Sequence, residues 1–390
     1  IILNHIIIKI DLFGDNMDII IVGGGVYGLF IAYHLGNEGL KVTLIDHNEP
    51  GIWSKAAVGI LGYNMFSANM INSMSYMMRY IKMLRNGETE LRYIKTRWLR
   101  IYLRSMIRRR DIFDKAINAV KNINNYSRKI YRAFAEEKND FEYSEEPLYE
   151  IAKDIEKIIK EAKKDPLNPK YEIVEIMGRQ AVAYHDVAKL STDLFIKRLL
   201  KDLEKKIFFR KAFVWDVHKD AVYLDCGEIL RGEKIIVSAG YWTSTLGIPI
   251  APFKGYGLRI RSSFKLRNMI YSDEKGIFMA PFSRWIKISS RFDPDSGVET
   301  RPLRDIIRRS REILGDLEVI DISIGYRPCT PDGLPIIDRI NEKIYVSTGG
   351  CRLGWTQAPG AAKIMVDLVL ERIRETPFKL NRFIQRSTYK

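Results

Sequence analysis

The apolar stretch Ile19-Ile-Ile-Val22 leads straight into Gly23-Gly-Gly-Val-Tyr-Gly28, and no other segment restricts the available folds so tightly. Four β-favouring residues in succession read as a parallel strand buried on both faces. Gly23, Gly25 and Gly28 then fall in the G-x-G-x-x-G register of a nucleotide-binding turn. Gly23 permits the tight turn, Gly25 leaves the backbone open to a pyrophosphate, and Gly28 lets the next helix approach the sheet. The helix expected from Val26 to about Glu38 would aim its positive end at that pyrophosphate and stop at Gly39. A second strand, Lys41 to Ile45, delivers Asp46 about 20 residues past the glycines, where its carboxylate can accept from both ribose hydroxyls. An acid at this position favours FAD or NAD over NADP.

With 390 residues, 46% of them hydrophobic and 11% aromatic, the chain can bury a large core, in two domains or one composite one, and disorder is excluded. A formal charge of +15 suits an anionic ligand, an acidic membrane surface or nucleic acid, and equally the solvated basic surface of a thermophile protein. Cys226, Cys329 and Cys351 are distant and odd in number, which reads as free thiols in a reducing, cytoplasmic compartment. No metal-ligand spacing appears among them or the five histidines. No apolar run approaches the length of a membrane span. Residues 1–16 read as an upstream extension, because Met17-Asp18 abuts the first strand and no signal-peptide pattern precedes it.

From Asn69 to about Ala135 the pattern is helical. Lys95, Arg97, Arg100, Arg104, Arg108, Arg109 and Arg110 alternate there with Trp98, Leu99, Ile101, Leu103 and Ile107 as a basic amphipathic helix at 95–110. Such a helix docks on an anionic membrane or RNA, or packs on its own domain. Glu150 to Lys164 reads as a further charged helix and Ser191 to Lys205 as an amphipathic one. Short strands follow at 207–210, 213–217, 221–225 and 234–237. Alternation in 257–261, 276–280 and 285–289 predicts an antiparallel sheet, and 300–314 a helix. At the carboxyl end, the strand 343–347 precedes Thr348-Gly-Gly-Cys-Arg-Leu-Gly-Trp-Thr356 and a helix with Pro359 in its first turn. A second glycine-rich loop so far from the first implies that both chain ends build one site.

These motifs together resemble the FAD-dependent amino acid and amine oxidoreductases of the D-amino acid oxidase family, across nearly the whole chain from Met17. The matching stretches are Gly23 to Gly28 with Asp46, Ser54 to Leu61, Ser238-Ala-Gly240-Tyr-Trp242, Lys254-Gly-Tyr256, Gly325-Tyr-Arg-Pro328, Thr330-Pro-Asp-Gly-Leu-Pro335 and Gly349 to Pro359. The resemblance implies an α/β fold with a Rossmann-like FAD domain and an α+β substrate domain built on an antiparallel sheet. The FAD domain would gather 17–85, 185–250 and 325–375, the substrate domain 86–184 and 251–324, leaving 376–390 as a tail. It implies FAD contacts from Gly23, Gly25, Val26, Tyr27, Gly28, Asp46 and His47, and from Ser54, Ala56, Ala57 and Gly59. Further contacts are implied from Val214, Ala239, Gly240 and Trp242, and from Arg327, Arg352, Leu353, Gly354, Trp355 and Thr356.

The resemblance assigns Arg327 to a substrate carboxylate, which a guanidinium can hold bidentately. Arg352 is a second contact residue; Tyr63 is a residue over the substrate or an ordinary core tyrosine, and Lys287 a lysine facing the flavin that assists reaction with oxygen or one alternating to solvent on its strand. Hydride transfer needs a neutral amine and orientation more than a protein base, so no acid or base is assigned. Gly325 stands where tethering relatives carry a cysteine, which implies non-covalent FAD. The expected activity is oxidation of the C–N bond of a small amino acid or secondary amine, of the D-amino acid, glycine, sarcosine or proline type. Oxygen, a quinone or a dye would take the electrons, with membrane contact through the 95–110 helix and a homo-oligomer or partner subunit as further expectations. Two rivals share the fold: a transfer-RNA wobble-uridine modification enzyme and a 2-hydroxy acid or polyol-phosphate dehydrogenase.

Overall fold

The computed structural model describes residues 18–107 and 109–383, apart from the side chains of 109–115. The expected extension at 1–16 and the last residues of the tail lie outside the described residues. Asp18–Val22 forms a strand in the middle of a six-stranded sheet. It pairs in parallel with Lys41–Asp46 on one side and Lys234–Val237 on the other. Ile344–Thr348 continues the sheet in parallel beside Lys234–Val237, Phe208–Lys211 extends the other edge, and Ile336–Arg339 closes the first edge antiparallel.

The helix Val26–Asn37 buries Leu29, Phe30, Ile31, Ala32 and Leu35 on one face of this sheet. Phe30 stacks on Phe195 of the helix Thr192–Leu203 at 5.7 Å, and Phe195 meets Trp355 of the helix Gly354–Val369 at 6.0 Å. Burying each such side chain contributes roughly 1.5–3 kcal/mol, and the contacts tie amino- and carboxyl-terminal helices to one core. The helix Arg109–Lys138 joins the same core through Val120, Ile123, Tyr131 and Phe134. On the opposite face lies a small antiparallel sheet of Val214–His218, Ala221–Leu224 and Ile229–Arg231.

An eight-stranded sheet stands beside this unit. Its order is Leu317–Cys329, Ala251–Ser262, Ile286–Pro294, Ile277–Pro281, Met269–Ser272, Leu148–Ile151, Arg179–Tyr184, Tyr171–Ile176. The predicted antiparallel strands are there; Ala251–Ser262 and Ile286–Pro294 run longer than their alternation showed, and Ile277–Pro281 is as short as expected. The charged helix expected from Glu150 spans only Ile155–Ala162, with Asp154 capping Lys157 N; Glu150 itself is strand, paired with Tyr271 and Val182. Cross-strand partners on both sides overrode the helical spacing of its charges. The helix Arg301–Leu314 covers the sheet with Ile306 and Leu314. The expected helical stretch from Asn69 divides into Met74–Arg85, Thr96–Ile107 and Arg109–Lys138.

Candidate active site

A cavity of about 930 Å3 runs between the two large sheets, lined from both chain ends. At one pole is the first glycine turn. Gly23 adopts φ +105°, and a Cβ there would sit 2.6 Å from the Ser238 carbonyl, so the turn and the following strand's end can only close on glycine. A Cβ on Gly25 would meet nothing nearer than Ser54 Oγ at 3.6 Å, which leaves the backbone open on the cavity side. Gly28 does not line the cavity; its Cα faces the Gly23 carbonyl. Val26 N donates to Ser54 Oγ at 3.0 Å, fixing the small-residue loop on the helix start.

Asp46 accepts from Gly24 N at 2.6 Å through one carboxylate oxygen and from Asn48 N at 2.8 Å through the other, leaving lone pairs toward the cavity. Burial pushes its carboxyl above the usual range, and these amides oppose the shift. His47 and Val214 line the same pole, where Phe213 meets the His47 ring at 5.5 Å. Tyr27, Ala56, Ala57 and Gly59 line the middle, opposite Ala239, Gly240 and Trp242. The Tyr27 hydroxyl is buried without a partner among the described residues. An open glycine turn at a helix start, a carboxylate with spare acceptors and an orphan buried hydroxyl together fit a dinucleotide such as FAD.

Leu353, Gly354 and Trp355 also line the cavity, and Trp355 Nε1 donates to the Ser54 carbonyl at 3.0 Å. Thr356 is buried beside it and does not reach the cavity. The last helix begins at Gly354, so Pro359 lies in its second turn and not its first. The residue whose missing N–H orphans the Trp355 carbonyl is compensated: Tyr131 donates its hydroxyl to that oxygen at 2.8 Å. The Leu353 amide, expected to face the cofactor, is taken by the Gly350 carbonyl at 2.9 Å.

At the other pole Arg327 and Arg352 both pack on the ring of Phe292, at 5.6 Å and 5.0 Å from its centroid. Arg327 donates to the Arg291 carbonyl at 3.1 Å and to Ser289 Oγ at 3.5 Å. Its guanidinium lies flat against Gly255, where a Cβ would come within 2.2 Å of Nη1. That explains the glycine of Lys254-Gly-Tyr256. Lys254 itself is a buried structural cation paired with Asp295. Among the described residues neither Arg327 nor Arg352 has a carboxylate in ion-pair contact, whereas Arg291 beside them is paired with Asp293 at 2.9 Å. Burial, and then Arg352, push the Arg327 guanidinium down to about 10.

Two of the expected residues are not at this pole. Tyr63 is buried in the core, its hydroxyl 3.2 Å from that of Tyr143 and its ring under Arg128. Lys287 does not line the cavity. It donates to the Lys55 carbonyl at 2.5 Å, to Thr192 Oγ1 at 2.8 Å and to Asp193 at 2.5 Å. Lys287 shares its strand face with Ser289, which lines the cavity, but stands two residues further along the strand, where the Lys55 carbonyl, Thr192 and Asp193 take its ammonium. Burial pulls its ammonium downward against the pull of Asp193.

The sequence reading also expected free thiols at Cys329 and Cys351. They form a disulfide, and of the three cysteines only Cys226 is free and exposed. The two stand 22 positions apart and the chain between them folds back, so distance along the chain was a poor guide. Several lining residues carried no sequence motif. Tyr76 and Arg79 project from the Met74–Arg85 helix, and Arg79 donates to Tyr271 at 2.8 Å and pairs with Asp273. Glu150 lines the same wall, where burial pushes its carboxyl up to about 7 against the pull of Arg79. The one available signal was Tyr76 and Arg79 three apart on a helix, which share a face.

The comparisons with known proteins agree with this geometry. Residues 18–368 match the model of the DAO family, described as FAD dependent oxidoreductase. The chain belongs to that family, and is an FAD-dependent oxidoreductase of the class that acts on the C–N bond of amines. It is 44% identical over 356 residues to a D-proline dehydrogenase of Pyrobaculum islandicum, covering 91% of this chain and 96% of that one. A D-amino acid dehydrogenase of Neisseria gonorrhoeae is 24% identical, over 94% and 99% of the two chains. Among solved structures, glycine oxidase from Bacillus cereus superposes with a TM-score of 0.69 at 19% identity, covering 96% and 100%. L-proline dehydrogenase from P. horikoshii gives 0.67 at 16%, covering 95% and 97%. These two likenesses concern the fold alone.

Proposed function

We propose that the chain is a D-amino acid dehydrogenase whose substrate is D-proline or a close cyclic analogue, oxidised at the C–N bond to an imine. The carrying observation is the pair of guanidinia that both pack on the Phe292 ring, without an acidic partner among the described residues, at the end of the cavity opposite the dinucleotide cradle. The 44% identity to a D-proline dehydrogenase supports the substrate. Gly23, Gly25, Val26 and Ser54 would hold the pyrophosphate of FAD, Asp46 and His47 its ribose, Val214 the adenine, and the Ala56–Gly59 loop with Gly354 and Trp355 the ring system. When bound, FAD supplies the hydride acceptor. Arg327 and Arg352 bind the carboxylate and thereby orient the Cα–H bond. Trp53, Trp242 and Tyr326, packed at 5.2–6.0 Å, form an aromatic wall that excludes water from the reacting carbon.

Non-covalent attachment follows from Gly325 at the tethering position. We assign the dinucleotide sheet and its helices to the FAD domain and the eight-stranded sheet to the substrate domain. Lys287, the cation expected to assist oxygen, does not line the cavity, which supports a dye- or quinone-type acceptor. No helix among the described residues is long and apolar enough to cross a membrane. The helix Thr96–Ile107 exposes Leu99, Leu103 and Ile107 beside Arg97, Arg100 and Arg104. We assign this face to an anionic membrane on the cytoplasmic side, where a quinone resides. Sedimentation with anionic vesicles at low salt tests it; self-association without vesicle binding would assign the face to a second copy of this chain.

The deciding experiment is anaerobic absorbance of the purified yellow protein during addition of D-proline, then L-proline, glycine and sarcosine, followed by air. Bleaching by D-proline with slow return of colour in air, and fast return with an artificial dye, is expected. Failure of every amino acid to bleach a protein that retains FAD would overturn the reading and favour the hydroxy-acid rival.

A further inference from the structure

The two arginines of the carboxylate pole come from segments far apart in the chain. Arg327 lies near the end of the strand Leu317–Cys329, and Arg352 in the loop that precedes the last helix. Cys329 follows Arg327 by two residues, and Cys351 is the immediate neighbour of Arg352. Their disulfide therefore joins the two segments within two residues of each guanidinium, with the Cα atoms 4.4 Å apart. Cys329 also makes an isolated bridge with Gly350. Both cysteines are buried, and Cys351 lines the cavity at φ +43°, a left-handed conformation that residues other than glycine adopt at a cost.

Two like charges packed on one aromatic ring repel each other when no anion lies between them, and Arg352 opposes the ionisation of Arg327. Hydrogen bonds resist their separation only in part. Asn69 accepts from Arg352 N at 2.9 Å and donates to the Gly333 and Gly350 carbonyls at 3.1 Å each, and Trp98 Nε1 donates to the Cys329 carbonyl at 3.0 Å. Each fixes one segment against a third element. The Cys329–Gly350 bridge and the disulfide act directly between the two arginine-bearing segments, and of these the disulfide is the covalent one.

We propose that the Cys329–Cys351 disulfide is a positioning element of the carboxylate site, holding Arg327 and Arg352 at the spacing that clasps one carboxylate, so that substrate affinity depends on its oxidation state. The proposal rests on the reading of this pole as the substrate carboxylate site. Reduction by a dithiol breaks the sulfur–sulfur bond with two electrons and two protons, giving two thiols and the cyclic disulfide of the reductant. The loop that carries Arg352 is then free to relax away from Arg327, and the carboxylate loses one of its two cations.

The test uses the FAD-loaded full chain as the oxidised wild type, as the wild type reduced with dithiothreitol, and as the Cys329→Ala/Cys351→Ala variant. Thiol titration after denaturation should find one thiol in the oxidised wild type and three after reduction. Two quantities are read: KM and kcat for D-proline, and the dissociation constant of benzoate from its perturbation of the flavin spectrum. Reduced protein and variant should raise KM and the benzoate constant at least tenfold while kcat changes less than threefold, with the flavin spectrum retained. Unchanged benzoate affinity in either form, even with a lower melting temperature, would reduce the disulfide to a fastening of the fold and overturn the proposal. If the variant fails to fold, the reduced wild type decides alone. If the oxidised wild type binds neither benzoate nor D-proline, the failure belongs to the carboxylate reading.

Discussion

Arg327 occupies its place because Gly255 has no side chain, so the two residues act as one unit. Replacing Arg327 by Lys keeps the charge and removes the planar fork; a lost charge-assisted hydrogen bond is worth about 1.5–3 kcal/mol, so kcat/KM for D-proline should fall about 10- to 100-fold. Gly255→Ala should produce a similar loss without touching any charge, since a Cβ would displace the guanidinium. Steady-state kinetics of both variants check this, and a Gly255→Ala enzyme with wild-type KM would contradict the placement. Glu150 carries a different expectation. Its carboxyl is raised from 4.5 to about 7, so the folded state disfavours its ionised form. Its stabilising contribution is present in full below about 4.5 and is lost as pH rises through about 7. Glu150→Gln should flatten that part of the decline in melting temperature, which calorimetry at pH 5 and 7.5 will show. At this scale the sequence was legible where backbone demands glycine or a motif demands charge: Gly23, Asp46, Arg327 and Arg352 all line the cavity. Tyr63 is the core tyrosine that its place also allowed, and Lys287 neither lines the cavity nor faces solvent, because partners that spacing does not reveal take its ammonium. Tyr76, Arg79 and Glu150 were missed because only the tertiary fold brings them to one wall.

The elements repeat this division. Period and punctuation marked Val26–Asn37, Thr192–Leu203, Arg301–Leu314 and the parallel strands to within a few residues. They failed at Leu148–Ile151, where charges at helical spacing lost to strand partners, and at Leu317–Cys329, where apolar Ile320 and Ile322 fall on the exposed side and Asp321 and Ser323 on the other, so the sequence does not show the alternation that the burial has. Pro359 shows how a helix tolerates what local rules forbid. Tyr131, from another helix, supplies the proton that Pro359 lacks. Tyr131→Phe should leave the buried Trp355 carbonyl unpaired and cost about 1–3 kcal/mol in denaturant unfolding. Adding Pro359→Ala, which restores an N–H, should recover part of that loss. A double variant no more stable than the single one would show that the hydroxyl bond contributes little.

Across the whole molecule, the cavity is walled by residues from the first strand to the last helix, and a dinucleotide lying in it would touch both ends of the chain. Ligand present at about 100 times its dissociation constant stabilises by about 2.7 kcal/mol. Stripping FAD should therefore lower the melting temperature by several degrees, and adding FAD back should restore it. FMN, which lacks the adenine half, should restore less; equal rescue by both would place the binding energy away from Asp46 and Val214. That the chain ends meet was legible from two glycine-rich loops at opposite ends. The disulfide was not, because nothing in cysteine spacing says that a 22-residue excursion returns to its start.

The parallel pairing of Asp18–Val22 with Lys234–Val237, and of that strand with Ile344–Thr348, sets a timetable for biosynthesis. As the chain leaves the ribosome, the first strand waits for a neighbour roughly 200 residues downstream, which at about 5–20 residues per second is on the order of ten to forty seconds. The outer edge of that neighbour waits longer still. During this interval an apolar strand is exposed to solvent, a natural substrate for a holdase chaperone, and the flavin can be captured only once translation is nearly complete.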